Sequence, residues 1–214
     1  MIENIVSNNG FDYVDLGLPS GTIWSTCNIG ALKPSEPGLY FQWGDTQGYT
    51  KEQVGRDKQF SWDDYKWGEF FPSTTKCATK GAKYTTPNAQ LEPEDDAAHV
   101  CMGGSWHIPS PEQCQELIDN TTTRWTKEDN MYGRLFMSKR YPSKSIFIPI
   151  AGYAWDNSIK DTNEIFGCGY IWSSVLDDLY VSNGLCLEFN CSKVDIRFTG
   201  EDRCNGLNVR GVIG

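Results

Sequence analysis

Two short segments near the end of the sequence alternate between apolar and polar residues, and they restrict the fold more than any other feature. Residues 185–189 (Leu, Cys, Leu, Glu, Phe) and 194–198 (Val, Asp, Ile, Arg, Phe) each place an apolar residue at every second position. Residues 190–193 lie between them and have the polar character of a turn. Because side chains alternate between the two faces of a strand, the pattern predicts an antiparallel hairpin with one buried face and one polar face.

A helix with a well-defined start is predicted in the middle of the chain. Ser110 is a favourable N-cap, Pro111 fits the first helical position, and Gln113 completes a capping box. Leu117 and Ile118 then supply the buried stripe, with Cys114 one turn earlier, before Asn120 and a run of threonines are expected to end the helix.

The remaining sequence alternates between turn residues and short β-rich runs. Apart from the hairpin, the predicted strands are residues 14–18, 22–24, 40–43, 134–137, 145–148, 170–174 and 207–212. Residues 92–98 combine an early proline with acidic residues, which predicts a second, short helix. Residues 49–90 are polar with scattered aromatics and predict a loop-rich insert. We therefore expect one domain of the α+β class across residues 1–214.

Charge and hydropathy exclude several kinds of partner. The net charge is −9 with no basic patch, so nucleic acid and anionic membrane are poor candidates. No apolar run approaches the roughly 20 residues of a membrane helix. Residues 1–6 contain neither a basic nor a strongly apolar segment, so no signal peptide is predicted. The expected setting is cytoplasmic synthesis, with release inside an assembled particle as one route out of the cell.

Metal and catalytic chemistry have few candidate residues. The closest approach to a metal motif is the group His99, Cys101, His107 and Cys114, but its spacing matches no zinc module, and we expect no metal and no cofactor. The eight cysteines are expected to be mostly free thiols. With two histidines, no Gly-x-Ser-x-Gly elbow and no phosphate loop, the sequence predicts a protein that is not an enzyme.

A run of acids leaves two interpretations open. Glu92, Glu94, Asp95 and Asp96 could bind Ca²⁺ through clustered carboxylates. They could equally lie at the start of a helix, where negative charge is favourable, and this second interpretation is the one we favour.

Seven segments occur in the order found in a known family. They are residues 13–21 (YVDLGLPSG), 38–44 (GLYFQWG), 91–98 (LEPEDDAA), 103–109 (GGSWHIP), 149–153 (PIAGY), 172–174 (WSS) and 209–210 (VR). Together they resemble the FISUMP domain (Fibrobacter succinogenes major paralogous domain), which is common in Bacteroidetes and their phages. The resemblance implies a C-type-lectin-like fold of the formylglycine-generating-enzyme type, with short antiparallel sheets, about two helices and long loops.

The resemblance also implies where a ligand would bind. In such modules the C-terminal strands and loops form the binding face, and some relatives are variable proteins of diversity-generating retroelements, in which adenine-bearing codons are rewritten. Departures from the family pattern cluster in a variable region at about residues 172–208. The ligand-binding residues that this implies are Asp177, Asp178, Tyr180, Ser182, Asn183, Cys186, Glu188, Asn190, Asp195, Arg197, Thr199, Asp202 and Cys204.

The positions of two thiols are consistent with diversification of adenine-bearing codons. Cys186 is predicted to point outward and Cys191 to lie in the turn, and mutagenesis of asparagine codons yields cysteine readily. Glu188, Lys193 and Glu201 are not reached by simple adenine replacement in an asparagine codon, so the fit is partial.

The resemblance therefore implies adhesion or receptor recognition, with a protein or surface glycan as the macromolecular ligand. The setting that it implies is a phage receptor-binding protein associated with the virion tail, or a retroelement variable protein. A structural or assembly subunit of a virion or pilus, without a diversified site, is the alternative. An oxidoreductase that uses Cys186 and Cys191 is a third hypothesis. A polar strand face is also the normal state of an antiparallel sheet, so the outer face of the hairpin could be plain solvated surface.

Overall fold

The computed structural model describes residues 6–67, 83–162, 167–191 and 197–214, with the backbone alone for residue 6 and residues 197–199. The strands are β1 Val6–Asn8, β2 Phe11–Val14, β3 Ile23–Ser25, β4 Tyr40–Phe41, β5 Thr121–Glu128, β6 Met131–Ser138, β7 Ser145–Pro149, β8 Tyr153–Trp155, β9 Ser158–Lys160, β10 Cys168–Leu176, β11 Asn183–Asn190, β12 Arg197–Asp202, β13 Leu207–Asn208 and β14 Val212–Ile213. The α-helices are α1 Ala97–Met102 and α2 Pro111–Asn120, and single 3₁₀ turns lie at Trp62–Asp64 and Pro93–Asp95.

The expected α+β class and C-type-lectin-like fold are wrong. Among the described residues, strands account for 39% and helices for 12%, so the fold is β-rich and built from several small sheets. The physical reason is the length of the helices: α1 has 6 residues and α2 has 10, which is too short for either to form a helical layer of its own.

A five-stranded sheet, the central sheet, lies at the middle of the molecule. Its strand order is β12-β11-β10-β13-β4, and all neighbours are antiparallel except β10 and β13. Strands β1, β2, β3 and β14 form a second sheet, β5, β6 and β7 a third, and β8 and β9 a two-stranded ribbon. The second sheet joins strands from near both ends of the sequence, because Val212 pairs with Trp24.

The central sheet has a hydrophobic core on each of its faces. Trp172 and Cys186 belong to one core, which contains α1 and the loops around it. Their neighbours along the same strands, Ile171 and Leu187, belong to a second core, which contains α2 and the three-stranded sheet. Because successive side chains of a strand point to opposite faces, β10 and β11 are covered on both sides.

The predicted hairpin forms, but its exposed polar face does not. Strands β11 and β12 are antiparallel and pair Glu188 with Arg197, while residues 192–196 lie outside the described part. Cys186 and Glu188, expected on a solvated face, are 0% and 7% exposed. The alternating pattern identified one buried face correctly, but the core that contains α1 covers the other face at Cys186, as happens for strands in the interior of a layered fold.

The predicted start of α2 is confirmed. The Ser110 hydroxyl accepts a hydrogen bond from the backbone N–H of Gln113, and the Gln113 side chain accepts one from the backbone N–H of Ser110 at 2.9 Å. On its inner face Cys114 and Leu117 are fully buried, whereas Ile118, also predicted in the stripe, is half-buried at the edge of the core. The helix ends at Asn120, but the threonine run after it continues directly into strand β5 rather than forming a loop.

Part of the loop-rich insert is described, as residues 49–67 and 83–90, and it packs against the core through aromatic side chains. Phe60 and Tyr65 are buried at 1% and 5% exposure, as their role as anchors predicts. Trp62 and Trp67 are half-buried, and Trp67 makes edge contacts with Tyr65 and Tyr84. Within the described segments no helix is long and apolar enough to cross a membrane.

Candidate ligand-binding surface

The predicted ligand-binding residues fall into three places. The first group of predicted residues lies in or next to the loop between β10 and β11 and comprises Asp177, Asp178, Tyr180, Ser182 and Asn183. Those in the central sheet or the turn after it are Cys186, Glu188, Asn190, Asp202 and Cys204. Asp195 lies outside the described residues, and Arg197 and Thr199 lie in β12 with only their backbone described.

The loop of residues 177–182, which we call the display loop, is held by the side chain of its first residue. Asp177 Oδ1 accepts hydrogen bonds from the backbone N–H of Leu179 at 2.7 Å and of Tyr180 at 2.9 Å. The backbone closes the loop at its base, with Asp177 N–H donating to Asn183 O and Asn183 N–H donating to Tyr180 O. An aspartate that bonds the backbone two and three residues on is a stable way to start a turn, so the display loop has a defined shape.

Two large side chains project from the display loop into solvent. Leu179 is 73% exposed and Tyr180 is 54% exposed, and Asp178 beside them is also exposed. The next residue, Val181, is buried at 8% and fixes the end of the loop to the core. Rigid presentation lowers the entropy that a contact surface loses on binding, and tyrosine in particular provides a large contact area with few rotatable bonds.

Arg203 connects the display loop to the insert, and sequence reasoning did not find it. Its side chain is 2% exposed, and its Nη1 donates to Val181 O at 3.2 Å and to Tyr84 O at 3.1 Å. Its Nε donates to the Tyr65 hydroxyl at 2.8 Å, and its Nη2 to Lys83 O at 3.2 Å. One guanidinium therefore holds three separate segments in place, which its planar set of five donors allows.

Aromatic rings surround the same guanidinium. The centre of the Arg203 guanidinium lies 5.0 Å from the ring of Trp43, 5.2 Å from Tyr65 and 5.7 Å from Trp67. Cation–π contacts of this kind gain strength where water is excluded. The base of the display loop is thus part of the folded core, although its tip is in solvent.

Carboxylates gather beside the display loop on β12 and its neighbours. Asp202 pairs with Asn183 across the β11–β12 ladder, and Glu201 pairs with Gly184. Burial is the largest influence on Glu201, and the nearby charge of Glu188 adds to it, so that the pKa of Glu201 rises from 4.5 to about 7. Burial also raises the pKa of Asp202. Because successive residues of a strand point to opposite faces, Asp202 and Glu201 place one carboxyl group on each face of β12 next to the end of the display loop.

More of this acidic region continues along the central sheet. Tyr170 lies opposite Glu188 in the ladder and donates its hydroxyl proton to Asp161 Oδ2 at 3.0 Å. Asn205 Nδ2 donates to Glu201 Oε2 at 3.4 Å. Tyr170 also contacts Tyr153 edge-on, with ring centroids 5.5 Å apart. This region therefore combines carboxylate oxygens, which accept hydrogen bonds, with aromatic rings. Groups of this kind bind ligands that carry cations or several hydrogen-bond donors.

Three of the predicted contact residues are buried and do not reach the surface. Cys186 and Cys204 are 0% and 2% exposed, and Glu188 is 7% exposed. Burial raises the pKa of the Cys204 thiol, which makes it a poor nucleophile at neutral pH. The inference of an outward Cys186 thiol is wrong, because the core around α1 covers that face of β11.

Cys186 and Cys191 do not form a usable redox pair. Cys186 lies in β11, which continues to Asn190, and Cys191 follows. Four extended residues span about 13 Å, whereas a disulfide needs Cα atoms within about 7 Å. The oxidoreductase hypothesis based on this pair therefore lacks its required geometry.

The candidate metal ligands are engaged in other contacts. His99 Nδ1 lies 3.3 Å from Trp106 O, and His107 Nε2 lies 3.3 Å from Gln113 Oε1. Cys114 belongs to the core on the opposite face of the central sheet from α1. These contacts are those of packed imidazoles and a buried thiol.

The acidic run at residues 92–96 is explained by capping and ion pairing. Asp96 is the N-cap of α1 and accepts the backbone N–H of His99 at 2.9 Å, which confirms the capping interpretation for this residue. Within the described residues, Glu92, Glu94 and Asp95 are the one group of carboxylates close enough to share a metal ion. Lys83 Nζ forms ion pairs with all three, so a lysine ammonium already balances their charge.

Comparison with known proteins identifies no relative: no family model, no curated protein and no solved structure matches this chain. The candidate surface therefore rests on geometry. Three surface cavities, lined mainly by residues 10–12 with 25–32, by 33–37 with 129–131, and by 130–132 with 150–151, include no residue of the display loop or of β12. The candidate surface is thus a projecting loop with an acidic flank.

Proposed function

We propose that this protein is a non-catalytic binding module that recognises a macromolecule on a cell surface through the display loop and its acidic flank. The observation that carries the proposal is the loop itself, in which Asp177 fixes a backbone that exposes Leu179 and Tyr180. Large exposed side chains on a rigid support have the properties of interface anchors.

The construction of the loop supports recognition rather than a purely structural role for these residues. Arg203 and Val181 secure the base inside the core, while Asp178 and Tyr180 at the tip contribute little to that core. Substitutions at exposed positions usually change stability by only about 0.5 kcal/mol. The tip can therefore change its sequence without loss of the fold, as a variable recognition site requires.

The sequence resemblance gives the proposal its biological setting. From the resemblance to FISUMP domains, we propose a phage receptor-binding protein or a retroelement variable protein that acts on Bacteroides or related cells. Burial narrows the diversifiable positions to exposed and half-exposed ones, and Asp178, Tyr180, Ser182 and Asn183 form one group of them within six residues of sequence. Cys186 and Cys204 would instead be held constant by packing.

The test is cell binding by a pair of matched variants. Fluorescently labelled protein is titrated onto intact cells of a panel of Bacteroides strains and bound protein is measured by flow cytometry. Replacing Leu179 and Tyr180 together by serine is expected to weaken binding by more than about 10-fold, because interface anchors contribute about 2 kcal/mol or more each. The control Leu32→Ser removes a side chain that is 91% exposed elsewhere on the molecule and should bind as the parent does.

Two outcomes would count against the proposal. If the parent binds no strain, or if the double variant and Leu32→Ser bind equally well, the display loop is not a recognition site. The same variants distinguish the alternative, in which the protein is an assembly subunit. In that case the parent would self-associate in analytical ultracentrifugation, and replacement of Leu179 and Tyr180 by serine would abolish the self-association.

A further inference from the structure

The exposed apolar residues of the display loop lie beside carboxylates that have no ion-pair partner in the described part of the chain. Asp178 directly precedes Leu179 and is exposed, and Asp202 and Glu201 follow on the strand that pairs with the end of the loop. None of these three forms a salt bridge to a described residue, whereas the exposed acids of the neighbouring 92–95 segment are balanced by lysine.

The shape and the charge of this surface together select a partner. We propose that the partner is a protein whose docking face presents lysine and arginine side chains around an apolar recess. This inference rests on the proposed function. The recess would accept Leu179 and Tyr180, and the basic side chains would lie against Asp178 and Asp202. Complementary charge of this kind accelerates association and sets the orientation of the two partners.

The carboxylates on the flank favour an incoming cation. Glu201 is placed among other acids, and burial together with the charges of Glu188, Asp202 and Asp161 raises its pKa. A cationic side chain brought in by the partner would relieve this repulsion, and repulsion relieved on binding adds to affinity. The net charge of −9 for the whole chain acts in the same direction at longer range.

A glycan fits the same surface less well. An aliphatic side chain such as Leu179 gains little against a hydroxyl-covered sugar, although Tyr180 could stack on one. Neutral glycans carry no cation to pair with Asp178, and acidic glycans would be repelled by it. A basic protein surface matches both the apolar and the acidic components.

The test uses charge variants of the full chain on intact Bacteroides cells of a strain that the parent binds. Asp178→Lys is expected to weaken binding about 10-fold, mainly through the association rate, and Asp178→Asn about 3-fold. The control Asp63→Lys reverses an exposed acid in the insert and should change binding less than about 2-fold. Equal melting temperatures of the parent and the Asp178 variants ensure that the comparison is between folded proteins.

Treatment of the cells identifies the kind of partner. Trypsin cleaves after lysine and arginine and should abolish binding, whereas periodate oxidation of surface sugars should leave it intact. Binding that survives trypsin and is lost after periodate would overturn the protein assignment, as would an Asp178→Lys variant that binds as tightly as the parent. In either case the serine variants of Leu179 and Tyr180 still report separately on whether the display loop is the recognition site.

Discussion

Replacing Glu201 by glutamine should stabilise the protein at alkaline pH and leave its stability unchanged in acid. Burial and neighbouring carboxylates raise the pKa of Glu201 from 4.5 to about 7, so the folded state binds this proton more tightly than the unfolded chain does. The stabilisation from that proton is complete below pH 4.5 and is lost as pH rises through about 7. Above that range the folded protein carries a poorly solvated charge that glutamine lacks.

The magnitude follows from the size of the shift. A rise from 4.5 to about 7, at about 1.4 kcal/mol per pKa unit, gives an upper limit of about 3.5 kcal/mol. Glu201 is only partly buried, and solvent screening reduces the expected effect to about 1–2 kcal/mol. The glutamine oxygen can still accept the hydrogen bond that Asn205 donates to Glu201, so little else changes.

Urea unfolding at about pH 4 and about pH 8 measures this difference directly. The free energy of unfolding of Glu201→Gln should equal that of the parent at the lower pH and exceed it by about 1–2 kcal/mol at the higher pH. Asp63→Asn, at an exposed acid without a partner among the described residues, should show no such pH-dependent difference. A Glu201→Gln effect of the same size at both pH values would refute the electrostatic reasoning.

Three further predictions follow from the contacts around the display loop and from the buried thiols. Arg203→Lys should lower the free energy of unfolding, measured in urea titrations, by about 3 kcal/mol, because lysine cannot replace the guanidinium donors and leaves buried carbonyl groups without hydrogen-bond partners. An unchanged unfolding midpoint would contradict this role of Arg203. Asp177→Ala should speed hydrogen exchange of the Leu179 backbone amide about 10-fold, as measured by NMR, while equal exchange would mean that the loop is held by other contacts. Native thiol labelling should modify exposed Cys101 long before buried Cys204, and simultaneous labelling would show that the burial is incorrect.

The elements that were predicted correctly are those whose structure depends on residues close together in the sequence. The capping residues Ser110 and Gln113 predicted the start of α2 because a capping box is complete within four residues. The pairing of β11 with β12 was predicted from alternation for the same reason. The threonine run of β5 also carried a strand signal, the high β-propensity of β-branched residues, but it was interpreted as the end of a helix.

What covers a strand depends on distant parts of the chain and could not be predicted in this way. By its place in the alternating pattern Cys186 is predicted to face solvent, yet α1 and loops from more than 70 residues away cover it. Leu179 is not among the predicted contact residues, which are departures from polar positions of the family pattern, although an exposed apolar residue before the C-terminal hairpin is a usable signal. Arg203 was missed because its partners Tyr65 and Tyr84 lie in an insert whose packing the sequence does not reveal.

Photo-crosslinking from the display loop tests most directly whether it contacts the ligand. Tyr180, which is 54% exposed, is replaced by p-benzoylphenylalanine, and the protein is irradiated on Bacteroides cells to which the parent binds. Tyr141, which is 42% exposed on another surface, carries the same group in the control protein. We predict a covalent adduct from position 180 and none from position 141. Bound protein that forms no adduct from position 180, or equal adducts from both positions, would contradict the assignment of the display loop as the recognition site.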